Sequence, residues 1–175
     1  MILSFRFTFF LFLALSVNLI SSVVAVASSH SEKLNSENQS IASGFFINDS
    51  GYIITSFHVI NNKKKIFALL SKTKGYPAKV IKTDPELDLA LLKINAITPF
   101  VYLSHSKGVP AGMDVVTIGY PQVSLLGLNP KITRGIVNSD SGIKDDKNSF
   151  QFSAEVQKGN SGGPLIAPGG TVVGV

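Results

Sequence analysis

Short apolar stretches separated by turn residues fill most of this sequence, and none of them has the periodicity of a helix. From residue 28 onward, no segment sustains an apolar repeat of 3.6 residues over three turns, which is the pattern of an amphipathic helix. The apolar stretches instead end at Gly, Pro, Asn or Asp, as strands do where they enter turns. This pattern predicts an all-β chain that folds as a barrel or a sandwich.

The predicted strands form two groups, in residues 41–103 and 113–175, joined by a connector at residues 104–112 that carries Pro and Gly. The strands of the first group are Ile41–Ile47, Tyr52–Ser56, Ile66–Leu70, Tyr76–Lys82 and Leu89–Ile94. Those of the second are Val115–Gly119, Ile132–Asn138, Phe150–Glu155, Pro164–Ile166 and Thr171–Val175. We therefore expect the strands to form two halves, one on each side of the connector.

The first 27 residues have the composition of a targeting segment. Arg6 is followed by the apolar run Phe7–Leu15, and Ala25-Val26-Ala27 has the small-residue pattern of a signal-peptidase site. We interpret residues 1–27 as a secretory signal peptide and residues 28–40, rich in Ser, Asn and Glu, as a disordered lead-in. The protein would then be exported, periplasmic or secreted, without stable membrane association after cleavage. The competing interpretation is an uncleaved anchor, because the same segment is long enough to span a bilayer.

Composition excludes several classes of protein. The absence of Cys excludes a disulfide scaffold and a Cys-ligated zinc site. A hydrophobic content of 45% excludes a disordered chain. The net charge is +5, but the one tight basic cluster, Lys63-Lys64-Lys65, contains no aromatic residue, so we predict a solvated loop and no nucleic-acid partner. Asp145-Asp146 is interpreted as a hairpin tip, and since no loop has EF-hand spacing we predict no metal and no cofactor.

The most specific stretch is Gly159-Asn160-Ser161-Gly162-Gly163. A serine hydroxyl becomes a nucleophile when a neighbouring base takes its proton and when backbone N–H groups face the developing oxyanion. Glycines on both sides of Ser161 allow the backbone turn that such N–H groups need. The stretch therefore favours a nucleophile turn, although an ordinary hairpin loop has the same composition.

A base and an orienting acid precede that serine in the chain. His58 ends the apolar stretch Ile54–His58, and Asp88 stands directly before the apolar stretch Leu89–Leu92. The order His, Asp, Ser is that of chymotrypsin-type proteases, whereas subtilisins and α/β-hydrolases order their triads differently. Taken alone, His58 could be a structural histidine and Asp88 a loop acid.

With these residues in place, the sequence resembles trypsin-like serine proteases of the bacterial HtrA/Deg kind, from Ile41 to Val175. The stretches that carry the resemblance are Ser43–Ile47 with Gly51–Thr55, Asp84–Ile94, Ile118–Pro121, Thr133–Ser139 and Gly159–Leu165. The resemblance implies two β-barrels of the chymotrypsin type, with His58 and Asp88 from the first and Ser161 from the second. It further implies an oxyanion hole built from the N–H groups of Gly159 and Ser161.

The same resemblance implies a serine endopeptidase that cleaves polypeptides through an acyl-enzyme. It leaves the oligomeric state undetermined, and a homo-oligomer is one of the states that it allows. The chain ends at Val175, where the family continues into further strands, so we expect an incomplete second barrel with an unpaired edge at Thr171–Val175. The alternative is a weak or inactive relative that serves as a binding or vestigial protein.

One further residue is a candidate for the substrate pocket. Glu155 precedes Ser161 by six residues, the offset at which trypsin-like enzymes selective for basic residues place their pocket acid. The alternative is that the Glu155 side chain points to solvent from the edge of its strand.

Overall fold

The computed structural model describes residues 19–31, 39–104 and 108–175, and almost all regular structure in them is β. Two short α-helices, α1 (Phe57–Ile60) and α2 (Val123–Leu126), and a 3-10 helix (Ile143–Asp145) interrupt the strands. Of the predicted segments, most of the signal peptide, residues 32–38 of the lead-in and residues 105–107 of the connector lie outside this description. The prediction of an all-β chain is confirmed.

The first sheet has seven strands in the order β5-β4-β1-β2-β3-β7-β6. They are β1 (Val23–Ser29), β2 (Gln39–Phe46), β3 (Tyr52–Ser56), β4 (Lys65–Leu69), β5 (Gly75–Pro77), β6 (Lys79–Asp84) and β7 (Leu89–Lys93). The strands at its two edges, β5 and β6, follow each other in sequence with only Ala78 between them, so the sheet curls into a barrel. Tyr76–Lys82, predicted as one strand, is therefore two.

The second sheet has six strands in the order β11-β10-β9-β12-β13-β8. They are β8 (Tyr102–Leu103), β9 (Asp114–Gly119), β10 (Lys131–Ser139), β11 (Gln151–Phe152), β12 (Leu165–Ile166) and β13 (Thr171–Gly174). Its edges β11 and β8 do not meet, which agrees with the prediction of an open second barrel. The expected unpaired edge at Thr171–Val175 is corrected, because β13 pairs in parallel with β8.

Strand β1 overturns the predicted domain boundary at residue 27. It pairs with β2 from Val23↔Phe45 to Ser29↔Gln39 and with β4 from Ala25↔Leu69 to Ser29↔Lys65, so it lies inside the first sheet. All seven of its residues are buried. The first barrel thus begins at Val23, and Ala25-Val26-Ala27 is the middle of a structural strand. At the two ends of the predicted lead-in, residues 28–29 belong to β1 and residues 39–40 belong to β2.

Burial on both faces explains the composition of β1. Val24 and Val26 belong to the core enclosed by the first barrel, whereas Val23 and Ala25 belong to a second core that also contains Ile118 and other residues of the second sheet. A strand covered on both faces has no polar side and shows a continuous apolar run instead of an alternation. The two sheets therefore pack on each other through β1.

Candidate active site

His58 and Asp88 are held together by side-chain and backbone hydrogen bonds. His58 lies in α1, directly after β3, and Asp88 lies directly before β7, which pairs with β3 through Ser56↔Leu89. One carboxylate oxygen of Asp88, Oδ2, lies 2.7 Å from Nδ1 of His58, and the other, Oδ1, accepts the backbone N–H of His58 at 2.8 Å. The N–H of Phe57 donates to the backbone carbonyl of Asp88 at 2.9 Å. The adjacent ends of two paired strands thus position both side chains.

This pairing determines which ring nitrogen of His58 is free. An ionised carboxylate only accepts hydrogen bonds, so the Nδ1 atom facing Asp88 carries the proton and Nε2 keeps its lone pair. The two side chains are 59% and 47% exposed, which leaves the ring accessible from the cleft. Asp88 has a left-handed backbone (φ 53°), which is uncommon outside glycine but tolerated by Asp. Its hydrogen bonds to α1 offset the cost of that conformation.

The N–H of Gly159 is directed by the peptide group to which it belongs. The carbonyl of that peptide, from Lys158, accepts the N–H of Gln122 at 3.0 Å. In a trans peptide the C=O and N–H point in opposite directions, so the Gly159 N–H points away from Gln122. Gly159 has φ of +108°, and a Cβ at this position would overlap the carbonyl oxygen of Tyr120. Only glycine allows this turn.

The N–H of Ser161 is directed in the same way. The preceding carbonyl, from Asn160, accepts the N–H of Gly163 at 2.8 Å, so the Ser161 N–H points to the opposite side of the peptide. Within the described part of the chain, neither this N–H nor that of Gly159 has an acceptor. Two unpaired backbone donors close to a serine are the arrangement required to bind an oxyanion.

The loop that carries Ser161 packs directly on the first sheet. The Ser161 carbonyl accepts the N–H of Ser43, in β2, at 2.9 Å. Gly162 has φ of +79°, and a Cβ there would overlap Thr55 Oγ1 and lie 2.6 Å from the backbone nitrogen of Ser56. Because Ser56 immediately precedes α1, this contact brings Ser161 to the end of the sheet where His58 lies. Ser161 thus lies on a loop that contacts the residues next to α1, and α1 carries His58.

A cavity of about 730 Å³ opens beside Ser161. Leu87 and Leu89 reach it from the first sheet's side. The rest of the lining combines apolar side chains, among them Phe150, Val156 and Leu165, with a similar number of polar ones. Lys158 is the single residue of the lining with a charged side chain.

Glu155 does not line this cavity, in contrast to the expectation of a pocket acid. Its side chain is exposed and accepts a hydrogen bond from Nε2 of Gln157 at 2.7 Å, while its backbone carbonyl accepts the Thr133 hydroxyl at 2.7 Å. The structure thus favours the alternative in which Glu155 points to solvent. Glu155 follows the end of β11 and lies in no strand, and an offset in sequence does not determine where the side chain of such a residue points.

Asp146 orders one rim of the cavity. Its carboxylate accepts the Ser149 hydroxyl at 2.5 Å and the Asn148 N–H at 3.0 Å, and both of these residues line the cavity. The hydrogen bond from Ser149, followed by that from Asn148, lowers the pKa of Asp146 below its usual range. Within the described ranges, no three His, Asp or Glu side chains lie together in a way that would hold a metal ion.

Sequence reasoning assigned no role to Ser43, although the structure places it at the base of the nucleophile loop. Its hydroxyl donates to the Gly159 carbonyl at 2.7 Å and accepts the N–H of Tyr120 at 2.9 Å. The signal in the sequence is a single small polar residue within the apolar stretch Ile41–Ile47. That signal shows a buried hydroxyl, but its partner lies 116 residues further along the chain.

Comparisons with known proteins identify the family of the chain. The family model described as trypsin-like peptidase domain matches residues 42–175. The chain is similar to the magnetosome formation protease MamE of Paramagnetospirillum magneticum, with 35% identity over 148 residues that cover 78% of this chain and 20% of that protein. It is also similar to a probable periplasmic serine endoprotease, DegP-like, of Pseudomonas fluorescens, with 39% identity over 143 residues that cover 79% of this chain and 29% of that protein.

Among solved structures, the serine endoprotease from Yersinia pestis superposes with a TM-score of 0.75 at 28% identity, covering 92% of this chain and 55% of that one. The chain spans 20% and 29% of the length of the two curated relatives above, and the range that matches the family model, residues 42–175, includes His58, Asp88 and Ser161.

Proposed function

The chain belongs to the trypsin-like peptidase family, and we propose that it is a serine endopeptidase with Ser161 as nucleophile, His58 as general base and Asp88 as the acid that orients His58. The observation that carries the proposal is the double attachment of Asp88 to His58, through Oδ2 to the ring at 2.7 Å and through Oδ1 to the backbone at 2.8 Å. A loop acid and a structural histidine do not need this arrangement, whereas a general base with a fixed tautomer does.

The proposed reaction begins at the Ser161 hydroxyl. Its Oγ attacks the scissile carbonyl carbon while Nε2 of His58 takes the hydroxyl proton. The carbonyl oxygen becomes an oxyanion, which the N–H groups of Gly159 and Ser161 stabilise. The C–N bond then breaks, and the imidazolium gives its proton to the departing amine, which leaves an ester on Ser161. Water, deprotonated by His58, attacks this ester and releases the acid product and the free serine.

The character of the cavity favours polypeptide substrates that have an apolar residue at the cleaved position. Its lining combines leucine, valine and phenylalanine side chains with neutral polar side chains and one lysine, and among the described residues it contains no acidic side chain to pair a basic one. Transfer of a charged side chain into such a site without a partner is unfavourable. We therefore propose cleavage after aliphatic residues.

We further propose that the protein acts after export, in the periplasm or outside the cell. The apolar segment near Arg6 supports export, as does the periplasmic DegP-like relative. In the part of the chain that the structure describes, no helix has both the length and the apolar character needed to cross a membrane. Because β1 is part of the barrel, the cleavage site of a leader has to lie on the N-terminal side of Val23. N-terminal sequencing of the exported protein tests this position.

Labelling with a fluorophosphonate tests the assignment of the nucleophile. The reagent phosphonylates a serine only when a base activates it, so we expect covalent labelling of Ser161 in the full-length protein and none in Ser161→Ala or His58→Ala. Mass spectrometry of the labelled peptide identifies the modified residue. A folded wild-type protein that neither labels nor hydrolyses peptides would show the alternative, a relative that binds without catalysis.

A further inference from the structure

The two N–H donors of the proposed oxyanion hole belong to peptide groups that are separated by a third. The outer peptides are fixed through the carbonyls of Lys158 and Asn160, which accept backbone N–H groups at 3.0 and 2.8 Å. The middle peptide joins Gly159 to Asn160, and its orientation determines the angle between the two donors. Rotation about the flanking single bonds is easy at a glycine, because no Cβ restricts it. On one side of the middle peptide the Asn160 N–H donates to the Gln157 carbonyl at 2.9 Å, and the Gly159 carbonyl on the other side needs a second restraint.

The hydroxyl of Ser43 supplies that restraint. It donates its proton to the Gly159 carbonyl, which belongs to the middle peptide, at 2.7 Å. The same oxygen accepts the N–H of Tyr120 at 2.9 Å, which fixes the direction in which the hydroxyl proton points. We propose that Ser43 is a positioning residue for catalysis, in that its hydroxyl holds the Gly159–Asn160 peptide so that the N–H groups of Gly159 and Ser161 converge on one oxyanion. This role rests on the proposed function.

The surroundings of Ser43 leave little freedom for the hydroxyl to move. The residue is fully buried. A Cβ added to Gly119 would lie 2.8 Å from Ser43 Oγ, and one added to Gly163 would lie 3.2 Å from Ser43 Cβ. Backbone bonds hold Ser43 in place independently of its side chain, since its N–H donates to Ser161 and its carbonyl accepts the Thr55 hydroxyl at 2.6 Å. Removal of the hydroxyl alone therefore leaves the residue where it is and removes one of the two hydrogen bonds of the middle peptide, while the bond from the Asn160 N–H to the Gln157 carbonyl remains.

The substitution Ser43→Ala separates positioning from structural support. It leaves the Tyr120 N–H and the Gly159 carbonyl buried without a partner, which destabilises any protein, whatever its function. A matched control removes a buried hydroxyl far from the site: Thr98→Val loses the hydrogen bond from Thr98 Oγ1 to the Asn48 carbonyl, and Thr98 is 4% exposed. Both variants are expected to unfold at lower urea concentration than the wild type.

The kinetics distinguish the two variants. The full-length protein and its variants are assayed with a chromogenic peptide that has an aliphatic residue at the cleaved position, and with a peptidyl boronate that places an oxygen in the oxyanion hole. Loss of an oxyanion donor costs about 10²- to 10³-fold in kcat. A donor that is misaligned but present should cost less, so for Ser43→Ala we expect kcat and boronate affinity to fall by roughly 10- to 100-fold at unchanged KM. Thr98→Val should keep both constants.

Two results overturn the role of Ser43 alone: an active wild type with an unchanged kcat in Ser43→Ala, or an equal loss of kcat in Thr98→Val. A folded wild type that neither hydrolyses the peptide nor binds the boronate overturns the proposed function together with this role.

Discussion

Truncation within β1 tests the largest difference between the sequence prediction and the fold. Residues 23–27 have the pattern of a signal-peptide end but form part of a buried strand. Two proteins are compared, one beginning at Leu19 and one beginning at Ser28, the residue after the apparent cleavage pattern. The second lacks Val23, Val24 and Val26, which are 4%, 1% and 0% exposed, together with two buried alanines. At about 1.5–3 kcal/mol for each fully buried valine, this loss removes roughly 5–9 kcal/mol of hydrophobic stabilisation.

That loss is as large as the whole stability of most domains, about 5–15 kcal/mol. It also exposes the facing edges of β2 and β4, whose N–H and C=O groups lose their partners. We therefore expect the protein that begins at Leu19 to unfold cooperatively in urea, as measured by far-UV circular dichroism, and the protein that begins at Ser28 to aggregate or to show no transition. Equal urea midpoints for the two proteins would refute the assignment of β1 to the barrel.

Three further predictions concern single side chains. Gly162→Ala should abolish most activity and lower the urea midpoint, because its Cβ would overlap Thr55 Oγ1 at a φ of +79°, and a wild-type rate in this variant would contradict the docking of the nucleophile loop. Burial raises the pKa of the Tyr120 hydroxyl, so the folded state favours the neutral phenol, and its contribution to stability is present below the ordinary pKa of about 10 and is lost as pH rises through the higher folded value. The urea midpoint should therefore decrease more between neutral and strongly alkaline pH in the wild type than in Tyr120→Phe. Equal decreases in the two proteins would contradict this. Glu155→Ala should leave the preference at the cleaved residue unchanged in a peptide library, since its exposed side chain lies outside the cavity, whereas loss of a preference for Arg or Lys would restore it as a pocket acid.

The strands that the sequence predicted correctly are those with local signals at both ends. Tyr52–Ser56 lies between a glycine and the histidine segment, and its bounds are the same in the structure. Strand β1 has no such signals, because small apolar residues buried on both faces also form the pattern of a cleavage site. Only its pairing with β2 and β4 identifies it. The two-residue strand β8 is defined by a partner far along the chain and has no pattern of its own.

The candidate site divides in the same way. His58, Asp88 and Ser161 were predicted from the sequence because each stands in a short motif with a chemical purpose. The direction of the Glu155 side chain depends on the path of the chain after β11, which the offset from Ser161 does not contain. The hydrogen bonds of Ser43 to Gly159 and Tyr120 join distant parts of the chain, so that only the folded molecule shows them.

The attachment of the nucleophile loop to the first sheet has a consequence for the order in which the proposed site is assembled during synthesis. The Ser43 hydroxyl and its acceptor on Gly159 are 116 residues apart in sequence. Contacts of such separation form late, because a long loop must close before they stabilise the chain. A nascent chain that has emerged as far as β7 contains His58 and Asp88 but not Ser161. Under the proposed mechanism such a chain lacks its nucleophile, and hydrolysis would begin only once the second sheet docks, so its onset would report completion of the fold.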